Sequence, residues 1–119
     1  MKQEEQMLLE LNQQLDYYHE LMDQLEHNLA ILNKLKEDLI SLDKLKEGDE
    51  ILAPLANGIF LEAKLITAKK LKVNVGNGVV VEKSIPDTLK LLEKQEVEIL
   101  NSKTEVQKKL EELYSGFQG

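Results

Sequence analysis

Apolar residues recur at alternating steps of three and four along the first third of the chain: Leu8, Leu11, Leu15, Tyr18, Met22, Leu25, Leu29 and Leu32. This spacing is a heptad seam, which keeps one narrow stripe of a helix against a partner helix. Leu35, Leu39 and Leu42 continue it after two consecutive steps of three, which predicts a stammer, a local overwinding of the coil. No Pro or Gly interrupts residues 3–47. Gly48 offers a left-handed position to end the helix, with Lys44 and Lys46 in the last turn, where cations suit the helix dipole.

A second seam occupies the last third. Ile85, Leu89, Leu92, Glu96, Ile99, Lys103, Val106, Leu110, Leu113 and Phe117 alternate steps of four and three, and only Glu96 and Lys103 are polar. Ser84 and Asp87 have the spacing of a capping box, and Pro86 lies in the first turn, where its missing N–H is harmless.

Between the seams the period changes to two. Ile51, Ala53 and Leu55 alternate with Glu50, Leu52 and Pro54, and Asn57-Gly58 is a hairpin turn signal. Ile59, Leu61, Ala63 and Leu65 then share a face, and Thr67-Ala68-Lys69-Lys70 reads as a connection. Leu71, Val73 and Val75 alternate with Lys72 and Asn74, Gly76-Asn77-Gly78 turns the chain, and Val79 to Glu82 form a fourth strand. The predicted fold is α+β: a long antiparallel coiled-coil helical hairpin with two short β-hairpins between the helices. It is one domain over 1–119, divided into a helix over 1–47, a double hairpin over 48–84 and a helix over 85–119.

Two isolated hairpins are marginal in water, and their edges invite pairing with other chains. The β region is therefore expected to be an assembly device. The first helix is also longer than the second. If both start at the sheet, about the first 14 residues of helix one overhang. That segment carries Met7, Leu8, Leu9 and Leu11, and helix two ends nearby with Leu110, Leu113, Tyr114 and Phe117. An exposed apolar tip of this kind marks an interaction site, and Met and Leu repack easily against varied partners.

Composition sharpens the picture. Aromatic residues are 4% and charged residues 31% of the chain, which suits long helices with thin seams better than a thick core. There is no Cys, which excludes disulfides and thiolate metal sites. All 15 cationic residues are Lys and the net charge is −7, most of it on the first helix. Acidic rods without Arg oppose binding to nucleic acid or anionic lipid. The polar start does not resemble a secretory leader, and no apolar run is long enough to span a bilayer, so a soluble cytoplasmic protein is expected.

Candidate chemistry is sparse. His19, Asp23 and His27 lie on one helical stripe, but the outer two are about 12 Å apart along it and cannot share a metal. Gly76-Asn77-Gly78-Val79 lacks the Lys-Ser/Thr of a phosphate loop and leads into a strand. Glu62 and Glu82 read as exposed strand residues, Tyr17-Tyr18 as seam and flank, and Lys69, Lys70 and Lys72 as hairpin solubility. There is no nucleophile arrangement, so neither an enzyme nor any metal or cofactor is expected.

The stretch from Gly48 to Ser84 resembles the double-hairpin core of α-class prefoldin subunits. Glu50 to Pro54 (Glu-Ile-Leu-x-Pro), Val75 to Gly78 (Val-Gly-x-Gly) and Val81 to Ser84 (Val-Glu-Lys-Ser) carry the likeness, and the flanking heptads extend it over the chain. The resemblance implies an ATP-independent chaperone subunit in a hetero-hexamer of two α-class and four β-class subunits. Hairpins would form a double barrel from which coiled coils project, holding non-native client proteins at their tips for delivery to a cytosolic group II chaperonin. Carried onto this sequence, the client residues would be Met7, Leu8, Leu11, Leu110, Leu113, Tyr114 and Phe117. The assembly residues would be Ile59, Leu61, Leu65, Val73, Val75, Val79 and Val81. Ala56 stands where the family commonly has Gly, Pro86 where many members have an acid, and no long charged tail follows Phe117. These departures bear on the class of subunit. A γ-type relative, self-associating as a filament-forming structural adaptor, is the alternative.

Overall fold

A computed structural model describes residues 2–67 and 70–118, without the side chains of Phe117 and Gln118. Its elements are α1 (Lys2–Asp43), β1 (Glu50–Pro54), β2 (Phe60–Lys64), β3 (Leu71–Gly76), β4 (Val79–Lys83) and α2 (Ile85–Gln118). The order is the one the periodicities predict: helix, two hairpins, helix. Ala68 and Lys69, in the predicted connection, lie outside the described residues.

The chain divides into two units, one of residues 1–33 with 94–119 and one of residues 34–93. In the first, α1 and α2 run antiparallel. His19 meets Tyr114 and Glu26 meets Lys103, so numbers fall along one helix as they rise along the other. Leu11, Leu15, Tyr18, Met22, Leu25 and Leu29 are half-buried, and Leu32 is buried. From α2 come Glu96, Ile99, Lys103, Leu110 and Leu113, half-buried, and Val106, buried. Alternating apolar steps thus become alternating contacts, as heptad geometry requires.

The second unit holds the end of α1, both hairpins and the start of α2. Ile85 is its most enclosed side chain, with 1% of its surface exposed, and Leu39, Thr88 and Leu92 are also buried. Ser84 caps α2: its Oγ accepts the Asp87 N–H at 3.2 Å, a contact worth about 1 kcal/mol. The Thr88 hydroxyl donates to the Ser84 carbonyl at 2.8 Å, which satisfies the one buried polar side chain among the described residues.

Each hairpin is a separate two-stranded antiparallel sheet. β1 pairs with β2 through Ile51↔Ala63 and Ala53↔Leu61, and β3 with β4 through Leu71↔Lys83 and Val73↔Val81. Both turns place an Asn-Gly pair at positive φ, Asn57 at 60° with Gly58 at 76° and Asn77 at 52° with Gly78 at 74°. That conformation suits the strand twist, and Asn and Gly adopt it at least cost.

Three local expectations need correction. α1 ends at Asp43 and has no basic residue in its last turn, so Lys44 and Lys46 lie beyond it. Tight bonds close it, from Lys44 N–H to the Ser41 carbonyl at 3.2 Å and from Leu45 N–H to the Leu42 carbonyl at 3.0 Å. Gly48, with φ of 88°, is instead the third residue of a turn in which Asp49 N–H bonds the Lys46 carbonyl at 3.0 Å. That turn feeds the first hairpin, where Gly48 N–H donates to the Leu65 carbonyl at 2.7 Å.

The second correction concerns the stammer. Leu35 is 42% exposed, whereas Lys36 is half-buried. The stripe therefore runs Leu29, Leu32, Lys36, Leu39 and Leu42, with a lysine stem at a seam position, so the consecutive steps of three fall at Lys36, Leu39 and Leu42, later than predicted. The third concerns β3. Its register slips between Asn74 and Gly76, so Val75 sits in a bulge and the period of two stops there. The Asn74 side-chain oxygen pins this bulge by accepting the Gly76 N–H at 2.9 Å.

Burial decides which apolar residues matter to stability. Ile85→Ala is expected to cost about 2–4 kcal/mol, because a fully enclosed side chain leaves a cavity. Val97→Ala, on the exposed face of α2, should change stability by about 0.5 kcal/mol or less. Urea unfolding of both variants at one fixed protein concentration measures the difference.

Candidate functional site

Two apolar surfaces stand uncovered, one in each unit. In the first unit an open groove of about 500 Å³ lies where the N-terminal part of α1 meets the C-terminal part of α2. Met7, Leu8 and Leu11 line it from α1, and Leu113 with Gly116 from α2. Met7 is 68% exposed, and Leu8 and Leu9 are exposed beside it. The sequence-based tip residues are thus partly brought together. Met7, Leu8, Leu11 and Leu113 share the groove, while Leu110 sits half-buried in the seam. The side chain of Phe117 lies outside the described residues.

Tyr114 has a different setting. Its hydroxyl lies 2.9 Å from His19 Nε2, and the two rings are 6.3 Å apart at 57°. This contact ties α2 to α1 beside the groove, at the residue next to Leu113. His19 was singled out in the sequence only for its stripe with Asp23 and His27. Among the described residues no group of three or more His, Cys, Asp or Glu is placed to hold a metal. Tyr18 fills the seam, Tyr17 is exposed, and their rings meet edge to face at 5.1 Å. The groove also has charged walls that pattern reading missed: Glu4, Glu10 and Glu112.

In the second unit the hairpins expose much of their apolar surface. Of the predicted assembly residues, Ile59, Leu61, Val75 and Val79 are exposed, and Leu65, Val73 and Val81 are half-buried. The other face of the first hairpin is mixed, with Glu50 opposite Lys64 and Leu52 opposite Glu62. Leu52 and Phe60 are exposed there, at positions that period-two reading assigned to the outer side. The second hairpin likewise pairs Lys72 with Glu82 on that face.

Two long seam-bearing helices joined through two consecutive antiparallel hairpins define a coiled-coil subunit with its β elements inserted between the helices. Residues 4–118 match the prefoldin subunit family, and the chain belongs to it. Prefoldin is a family of chaperone subunits. Among curated proteins, prefoldin subunit alpha 1 of Thermococcus kodakarensis is 46% identical over 46 residues, 39% of this chain and 32% of that protein. Prefoldin subunit alpha of Methanothrix thermoacetophila is 42% identical over 45 residues, 38% of this chain and 29% of that one. These matches span about a third of the relatives' own lengths. The cryo-EM structure of filamentous PFD from Methanocaldococcus jannaschii has the same fold, with a TM-score of 0.82 over 91% of this chain and 89% of that chain at 24% identity. No described helix is long and apolar enough to cross a membrane.

One seam position gives a direct test of the helix pairing. Lys103 is 23% exposed, and its Nζ lies 3.8 Å from Glu26 Oε1 on α1. With Glu26 largely exposed, that pair contributes at most about 1 kcal/mol. A leucine at the same place would bury more apolar surface, worth about 1–2 kcal/mol. Lys103→Leu should therefore raise the melting temperature and Lys103→Asp, which faces Glu26 with like charge, should lower it. Thermal unfolding followed by circular dichroism reads both.

Proposed function

We propose that this chain is an α-class prefoldin subunit that holds non-native proteins without nucleotide hydrolysis. The observation that carries this reading is the exposed apolar groove of Met7, Leu8, Leu11 and Leu113 at the paired helix ends of the first unit. Exposed contiguous apolar surface marks an interaction site, and unbranched Met and Leu adapt to varied partners. Clients would be released to a cytosolic group II chaperonin, and the protein would work in the cytoplasm. The hairpin surfaces would be covered by β-class subunits in a hexamer of two α and four β chains. Both curated relatives being named alpha subunits supports the class.

Self-association is the second reading, because the matched solved structure is a filamentous PFD. Light scattering separates the two. A hexamer formed only on mixing with a β-class subunit supports the first, and long polymers of the chain alone support the second. In either case the hairpins are the assembly surface. Leu61→Lys, at an exposed strand position, should leave helix content unchanged and sharply lower the assembled mass.

Tip function has its own test. Replacing Met7 and Leu8 together by Ser should abolish suppression of client aggregation in the absence of ATP, with the oligomer intact. Loss of the oligomer instead would put those residues in the assembly contacts and defeat the assignment.

A further inference from the structure

The groove at the helix ends is apolar along its floor and acidic along its rim, and that combination specifies more than a taste for greasy chains. Its charged lining residues are Glu4, Glu10 and Glu112, with no lysine among them. Around it, residues 2–16 and 109–118 carry six acids against two lysines. One of those lysines is committed locally, since Lys109 Nζ lies 3.6 Å from Glu112 Oε2 on the same exposed helix face. Glu4 and Glu10 make no ion pair among the described residues.

We infer that this groove selects apolar client segments flanked by lysine or arginine and disfavours those flanked by aspartate or glutamate. The inference rests on the client-holding reading above and names the chemistry of what is held. A segment lying along the floor would place its flanking side chains at the rim, where cations meet the carboxylates of Glu4 and Glu10 and compete with Lys109 for Glu112. Each such exposed pair strengthens binding only about twofold to threefold, but two or three of them acting together give about tenfold. The like-charged segment is rejected by the same field, which supplies discrimination as well as attraction. Because the rim is solvated, salt should erase the preference while leaving the apolar floor effective.

The test uses the assembled full-length chain and three fluorescent peptides with one shared apolar core, flanked by Lys, Ser or Glu. Anisotropy titrations at low and high salt are compared with those of a Glu4→Gln, Glu10→Gln, Glu112→Gln triple variant. The Lys-flanked peptide should bind about tenfold more tightly than the Ser-flanked one at low salt, and the Glu-flanked one should bind more weakly still. That spread should collapse at high salt and in the triple variant, with the Ser-flanked affinity unchanged. Equal binding of all three peptides overturns the inference and leaves client holding intact. A preference that survives in the triple variant also overturns it, because the attraction then comes from elsewhere on the acidic helices. Failure of every peptide to bind sinks both readings together.

Discussion

A β-hairpin of strands five or six residues long has two faces and two edges, and its own chain can cover only part of one face. This constraint governs the second unit. Alternate residues of the hairpins, such as Ile51, Ala53, Val73 and Val81, are only half-buried, and Leu52, Phe60, Ile59 and Leu61 remain open. The buried apolar residues among those described are Leu32, Leu39, Ile85, Leu92 and Val106, all on helices. The strands thus have no core of their own. Isolated hairpins are marginal in water, so these strands need further chain to reach ordinary stability. Each hairpin sets a lysine–glutamate pair on its outer face, Glu50 with Lys64 and Lys72 with Glu82, and the first adds exposed Leu52 and Phe60 there.

The helices follow the opposite logic. Each buries a narrow stripe, and that stripe contains its own polar interruptions at Lys36, Glu96 and Lys103. Polar residues in a seam lower stability but disfavour shifted registers, in which they would meet apolar neighbours. The Lys103–Glu26 and His19–Tyr114 contacts both satisfy one antiparallel register. A slip of one heptad would break both. Register matters here because it determines which residues of α1 meet the last turns of α2, and hence what lines the groove.

Periodicity revealed the elements because each has a physical period: 3.5 for a helix in a coil and two for a strand. Turn chemistry marked the hairpins equally well, since Asn-Gly at positive φ leaves little alternative at residues 57–58 and 77–78. What pattern reading missed was continuous with what it used. It followed Leu35 because leucine looks like a seam residue, but phase outweighs hydrophobicity, and the aliphatic stem of Lys36 fills the place. It extended α1 to Gly48, though a glycine conformation can end a helix or make a turn, and only the bonds of Lys44, Leu45 and Asp49 decide which. It could not see the Val75 bulge, which depends on Asn74 bonding its own strand. At the groove the apolar floor was legible from Met7, Leu8, Leu11 and Leu113. The acidic rim was not, because surface charges on a helix normally mean only solvation, and the pairing of two helices is what gathers Glu4, Glu10 and Glu112.

That rim bears on a difficulty any exposed apolar surface creates. Every copy carries the same groove, and identical greasy surfaces at useful concentrations attract one another as readily as they attract clients. Apolar attraction is non-directional and cannot distinguish the two cases. Charge can. Two copies brought groove to groove would oppose Glu4, Glu10 and Glu112 to their counterparts, and like charges facing across an interface are repelled. A disordered segment bearing lysines meets no such barrier. On the proposed reading the same three carboxylates would keep the floor open and bias what enters it, and the absence of lysine among the groove's charged lining residues would serve both ends.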